Sequence, residues 1–590
     1  MTLSSEPSSL STEPREGSWY LGIDLGSTQM AAVLCDCVQG KQYPLYWSSL
    51  RPAEGEERQF WLPMRAFLSW RKAQGKTVPH LVVGKAVEQA QEQVEGVVLE
   101  RLKGYLRAAL PYYSRRLRGW EPKMVEGYPL TWFRRTLQAL LTTLTPAGSK
   151  HLCRVEAVGL SKRMLSGALM NLEGVMVSCP AGWSDTYRFN VREAILGAKL
   201  VQSAARIGFV EESVAVMAAT WGRSSAEELG ELAVRAPEGE TTLLFHGGLM
   251  TTELALVTVP KRFTGLKYQD FALRSLDYGM QGVYEDIFYQ LIYPQWQPEQ
   301  EFLRQLRLEI PRPGEGDRPR RDRATVMLQQ FEWGPSLLEM AKRVWLILQK
   351  RESFTVTLGA QNWGVQRQDL VNAVLNPLQA QFNQRVNELL SERGVDQGAI
   401  AKICWSGGTL PQLQPFFTTW LSEKFPQAKI VTLDRDPQTS LVARGLATLP
   451  QYPQLIHRLK HQYSDYFLLW ELVQSFPERM VTLEQMLKIL ELRGINPRAC
   501  MWRIFAILEG YLPPGLLPDE AAEPWFTAES LQNLEYQALR AAPLFAQDSK
   551  QSYRPNPKQG KRLRQFLTLA TRQTQQNWDE PLTLPWSVNS

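Results

Sequence analysis

An apolar run, Trp19–Asp24, enters the turn Leu25-Gly26-Ser27-Thr28 and resumes at once as Met30-Ala31-Ala32-Val33-Leu34. The turn therefore joins two strands, which separates it from the Walker and Rossmann glycine loops, where a helix follows. Gly26 lets the backbone approach a ligand with no Cβ in the way. Successive N–H groups in such a turn form an anion-binding nest. Asp24, just before the turn, suits magnesium held through its water shell. On this segment alone, a phosphate grip and an ordinary hairpin are both open readings.

Further strand-like runs occur at Val82–Gly84, Val175–Ser178, Thr242–Phe245, Leu254–Val259 and Ile403–Trp405, with helical patterns between them. That alternation predicts an α/β protein. Asp185–Val201 and Ser336–Lys350 read as helices with apolar residues on one face. Pro311–Arg323, rich in Pro, Gly and Arg, reads as a solvated loop. A chain of 590 residues exceeds one ordinary core, so about two to four domains are expected. Its apolar fraction of 44% and its 19 tryptophans belong to a globular chain. A net charge of +6 is too mild to point to nucleic acid. The six cysteines form no CxxC pair, and with five histidines they suggest reduced thiols and no metal-ligand cluster. Residues 1–17 lack a signal-peptide core and read as a disordered segment. No window supplies about 18 unbroken apolar residues, so no membrane span is expected and the location reads as cytoplasmic.

Four more segments fall in order behind the first turn. Val175–Asp185, ending Cys179-Pro180-Ala181-Gly182-Trp183-Ser184-Asp185 before a capped helix, resembles the strand–VPAYFND–helix passage of DnaK-type heat-shock chaperones. Ile207–Trp221, with Val210-Glu211-Glu212-Ser213-Val214-Ala215, resembles their NEPTAAA segment. Gly364–Phe416 is similar to their long helix with an internal LxP, here Leu375-Asn376-Pro377, leading to the adenosine loop, here Trp405-Ser406-Gly407-Gly408-Thr409. The resemblance spans about residues 19–449, in the family's order.

It implies an α/β fold of the actin-like ATPase kind: two lobes (duplicated RNase H-like units), each on a five-stranded sheet, with ATP or ADP and magnesium in the cleft. The domain would cover 18–449, with the lobes dividing near 205–240. By resemblance, Asp24, Gly26, Ser27, Thr28 and Gln29 form one phosphate grip. Gly247, Gly248 and Thr251 belong to the second grip, and Glu212 orients the attacking water. Glu339, Lys342 and Arg343 match the E-x-A-K-R helix at the adenosine, together with Gly407 and Gly408. An exposed helix decorated with ion pairs carries the same three residues.

Departures from the family pattern bear on catalysis. Where the second grip reads DLGGGTFD, this chain has His246-Gly247-Gly248-Leu249-Met250-Thr251-Thr252-Glu253. An acid has become His246, and the closing aspartate has lengthened to Glu253. The family's lysine context A-K-R-L-I-G best matches Leu99-Glu100-Arg101-Leu102-Lys103-Gly104, putting Glu100 at the lysine position, with Arg101 or Lys103 as substitutes. A charge about 5 Å from its partner contributes about 3 kcal/mol at an effective dielectric of about 20. Losing that much is worth about two orders of magnitude in rate. The expectation is nucleotide binding with slow hydrolysis or none, and Asp24, Glu212 and Glu253 as the remaining catalytic acids.

After residue 450 only helical patterns continue, among them Val481–Arg493 and Arg498–Leu512, so 450–546 reads as a helical region and 547–590 as a polar, irregular tail. A DNA-reading helix pair is one reading and a bundle packed on the ATPase or on a partner the other. The family's β-sandwich has no counterpart here. Lys558–Arg564 reads as a solvated basic helix face, or as a contact for an acidic partner. Two functions follow: a divergent chaperone with client proteins and co-chaperones as partners, or a catalytically inactive actin-like scaffold.

Overall fold

Ten strands build two sheets with the same strand order. Trp19–Leu25 (β1), Gln29–Asp36 (β2) and Lys41–Ser49 (β3) form an antiparallel meander. On its other side β1 runs parallel to Leu172–Ser178 (β4), which pairs in parallel with Ile207–Val210 (β5). Thr241–Gly247 (β6), Thr252–Thr258 (β7) and Ala272–Leu276 (β8) repeat the meander. Ile400–Ser406 (β9) and Lys429–Thr432 (β10) repeat the parallel half. The orders are thus β3-β2-β1-β4-β5 and β8-β7-β6-β9-β10. Leu62–Pro63 and Cys153–Ala157 widen the first sheet to seven strands; the second has five.

This computed structural model describes residues 18–582 apart from 50–56, 74, 115–118, 147, 149–152, 222–238, 261–262, 297–308, 330–333, 359–360, 434–437 and 549–551. The segment 1–17, expected to be disordered, lies outside the described residues, as do residues 222–238 of the boundary expected near 205–240. The chain is mixed α/β, and each of the six strand-like runs falls on a strand, with Gly84 and Val259 just past the strand ends.

β6 is buried throughout, and β1 nearly so, because helices cover both faces of each central strand. The helices Glu212–Trp221 and Leu441–Thr448 are wedged between the two sheets. Their apolar residues Val214, Met217, Val442 and Leu446 share one core with Tyr20 and Val33 of the first sheet and Leu244 and Ala255 of the second. Contact there is at backbone distance. A Cβ on Gly22 would lie 2.4 Å from the Ala443 carbonyl oxygen, and one on Gly445 would lie 1.7 Å from that of Ala215.

Two expectations need correction. Residues 318–323 are not a solvated loop: they open the helix Arg318–Gln329, with Arg318, Arg321 and Asp322 buried. Their charges pair with Glu285, Asp286 and one another, which permits burial of so polar a segment. Nor is the C-terminal region all-helical with an irregular tail. Val481–Thr482, Phe545–Gln547 and Ser552–Pro555 form a small sheet, and Pro557–Thr571 is a helix burying Leu563, Phe566 and Leu567. Lys558, Lys561, Arg562 and Arg564 are exposed on that helix. Arg498–Leu512 is shorter than expected, a helix over Pro497–Leu508.

The C-terminal region is built onto the first sheet's helix Asp185–Gly197, whose residues 185–196 are all buried. Asp185 binds Arg188 and Arg192 and accepts from the Asp465 amide at 3.0 Å. Arg503 closes the cluster on Asp465. All six cysteines are free thiols. No helix among the described residues is long and apolar enough to cross a membrane.

Candidate functional site

Three of the singled-out acids gather between the two sheets, each from a strand end or helix start. Asp24 sits near the end of β1, where Ser440 Oγ donates to Oδ2 at 2.7 Å and Ser178 Oγ lies 3.4 Å from Oδ1. Glu212 opens the helix that follows β5. Lys103 Nζ donates to its Oε1 at 2.8 Å, and His246 Nε2 lies 3.4 Å from Oε2. The other ring nitrogen of His246 is 3.2 Å from Ser406 Oγ. Glu253, at the start of β7, accepts from the Ala181 amide at 2.5 Å and the Ser213 amide at 2.9 Å. Each of the six carboxylate oxygens thus faces a protein donor.

The electrostatics follow from burial and from Lys103. Burial pushes the Glu212 carboxyl up, but Lys103 and then His246 outweigh it and hold its pKa at about 2. Glu253 has no cation of its own. Burial and the charge of Glu212 raise its pKa to about 7. Asp24 is raised by burial and by Glu212. For Lys103, burial favours the neutral amine, yet Glu212 more than offsets it and the pKa rises. The Lys103 ammonium thus favours the charged form of both Glu212 and Asp24, but only at Glu212 does it outweigh burial.

The expected place of Glu100 is corrected. Arg101 adopts a left-handed conformation (φ 58°) and caps the helix Leu102–Ala108, which turns Lys103 inward, 5% exposed, onto Glu212. Glu100 instead lines a cavity in front of that helix. A left-handed residue other than glycine is uncommon and gives no sequence signal here. Matching the family's lysine context put Glu100 at that position with Arg101 or Lys103 as substitutes, and of the three it is Lys103 that meets Glu212.

That cavity, of about 460 Å³, is bounded by Ser27, Thr28 and Gln29 from the first hairpin and Leu249 and Met250 from the second. Lys342 lies on its wall. Asp24, Glu212, Glu253, Gly26, Gly247, Gly248, Thr251, Glu339, Arg343, Gly407 and Gly408 are not among its lining residues. Gly407 packs its backbone on Gly247: with φ 108°, a Cβ there would lie 2.0 Å from the Gly247 carbonyl oxygen. Glu339 pairs with Lys342 at 3.1 Å in solvent. Arg343 is exposed.

No family model matches this chain, and no curated protein matches it.

Among the cavity-wall residues that sequence reasoning missed are Glu285, Arg318, Asp322 and Trp525. Arg318 and Asp322 stand four apart on one helix face, a signal masked by the prolines and glycines before them. Trp525 comes from the C-terminal region, and nothing local marks it. The three gathered acids do not form a direct magnesium site; a contact from Asp24 through the ion's water shell is a separate arrangement. The oxygens of Asp24, Glu212 and Glu253 are all engaged, and among the described residues no group of three or more His, Cys, Asp or Glu is arranged for a metal ion.

Proposed function

We propose that this chain is a divergent DnaK-like protein of the two-lobed actin-like fold, binding ATP or ADP between its lobes and hydrolysing ATP slowly if at all. One observation carries the reading: the tips of two hairpins, at the same place in two sheets of the same order, line one cavity. Duplicated RNase H-like lobes would produce that arrangement. Ser27 and Thr28 supply hydroxyls and backbone to a phosphate chain, and Lys342 supplies a cation across the cavity. Leu249 and Met250 put apolar bulk where the second grip would expose bare backbone.

Weak hydrolysis is supported by the state of Glu212. A carboxylate that orients water needs a free oxygen facing the substrate. Both oxygens of Glu212 face Lys103 and His246 instead. The acids offer magnesium no direct site, and no catalytic step is assigned through it. The exposed Leu492, Met501, Trp502 and Tyr511 of the C-terminal region favour client or partner proteins as its contacts.

The test is titration of the purified protein with ATP and ADP, with and without magnesium, paired with single-turnover hydrolysis. We expect saturable binding and hydrolysis that Glu212→Gln leaves nearly unchanged. Brisk turnover abolished by Glu212→Gln would overturn the slow-hydrolysis reading, and no binding would overturn the nucleotide reading. A second reading, an inactive actin-like scaffold, is favoured by one observation: the buried carboxylates are satisfied by the protein itself. Absence of binding, with intact folding and no suppression of client aggregation, would select it.

A further inference from the structure

We propose that the cavity recognises a phosphate-bearing ligand through Arg318 and Trp525, and that Trp525 makes the C-terminal region part of that ligand's site. The inference rests on the nucleotide reading for the identity of the ligand, and its chemistry extends to any phosphoryl group. Arg318 and Trp525 both line the cavity and are each 3% exposed. Arg318 Nη1 and Trp525 Nε1 are buried with no hydrogen-bond acceptor among the described residues. A buried N–H without an acceptor is costly, so Arg318 Nη1 and Trp525 Nε1 at one cavity mark a place for an acceptor brought from outside.

Both donors are held in place. Arg318 Nε donates to Asp322 Oδ1 at 2.6 Å and Nη2 to Glu285 Oε1 at 3.1 Å, which fixes the guanidinium plane and leaves Nη1 over. The Trp525 carbonyl accepts from the Val125 amide at 2.8 Å. Its ring meets Tyr105 edge-on at 5.0 Å, on the same helix as Lys103. Of the acids on this wall, Glu285 also faces Arg321, and Asp322 Oδ2 lies 3.7 Å from Arg107; Glu100 is the third. Arg101, in its left-handed conformation, stands on the same wall, a strained position of the kind that gathers at ligand sites. A guanidinium N–H with an indole N–H suits phosphoryl oxygens.

Trp525 reaches the cavity from a segment anchored in the first sheet's core. Ala522, Trp525 and Phe526 pack with Tyr105, Phe133 and Leu137. A ligand bonded to Trp525 would tie this segment to both sheets at once, so occupancy should be registered in the C-terminal region.

The full chain is titrated calorimetrically with ADP, ATP and inorganic pyrophosphate, comparing wild type with Trp525→Phe and Arg318→Lys. Hydrogen exchange over residues 519–531 is followed with and without ligand. Phe keeps the aromatic contact with Tyr105 and Lys keeps the cation beside Glu285 and Asp322, while the exchange measurement needs no variant. We expect each substitution to weaken binding about tenfold, and ligand to slow exchange in that segment. Nucleotide binding that changes less than twofold in both variants, with unaltered exchange, overturns the inference and leaves the nucleotide reading standing. Pyrophosphate binding that depends on both residues, with no nucleotide binding, upholds the inference and overturns the nucleotide reading. If none of the three binds, both fall.

Discussion

Lys103 Nζ lies 2.8 Å from Glu212 Oε1, with the two side chains 5% and 8% exposed. The pair joins a helix in front of the first sheet to the helix wedged between the sheets, and His246 of the second sheet meets the same carboxylate. Removing one partner of a buried pair strands the other charge, and that exceeds the net worth of the pair. Lys103→Met should therefore lower stability by about 3–5 kcal/mol in urea denaturation, and adding Glu212→Gln should restore part of it. A Lys103→Met loss under about 1 kcal/mol would show that the pair is not buried as described.

Glu253 makes stability depend on pH near neutrality. Its folded pKa, about 7, lies above the ordinary carboxyl value of 4.5, so the native state binds more protons between those values. Unfolding free energy then falls as pH rises from 4.5 to 7, by up to about 3 kcal/mol from this group. Glu212, held at about 2, acts oppositely: its contribution is present above 4.5 and is lost as pH falls toward 2. Denaturation of Glu253→Gln between pH 5 and 8 (about one unit per step) should show a flatter profile than wild type. An unchanged slope would assign the titration elsewhere.

Gly445 admits no side chain. A Cβ there would meet the Ala215 carbonyl oxygen at 1.7 Å, so the two wedged helices must part for alanine to fit. Overpacking of this kind costs about 1–3 kcal/mol or more, and backbone cannot rotate away as a side chain can. We expect Gly445→Ala to lower the melting temperature, whereas Gly127→Ala, a control with open space around it, should cost only the strain of its positive φ.

Truncation after residue 449 should not leave a stable protein. It would uncover the Asp185–Gly197 helix, buried along its first twelve residues, and strip Asp185 of its amide donor. We expect aggregation or loss of cooperative melting, measured by light scattering and circular dichroism. A soluble, cooperatively folded 18–449 fragment would show the C-terminal region to be an independent domain.

Local pattern made much of the fold legible. β1, β4, β6, β7 and β9 each contain a run read as a strand, because apolar β-rich segments bounded by turn residues have few other stable states. The helices expected at Asp185 and Ser336 start within two residues of the expected places, and the first ends at Gly197, four residues before the expected limit. The charged helix Arg318–Gln329 was not legible: seen alone it is polar, and it folds inward only because Glu285 and Asp286 are there to receive it.

The site divides in the same way. The turn at Asp24–Gln29 and the acid Glu212 are visible along the chain, since an acid, a glycine and hydroxyls in one tight turn have recognisable chemistry. That Lys103 rather than Glu100 meets Glu212 depends on one left-handed residue, Arg101. That Trp525 walls the cavity depends on a contact made across most of the chain. Periodicity and turn chemistry arise between near neighbours and are written in order along the sequence. The partner of a buried charge is chosen by packing among distant segments, and only the folded chain brings those together.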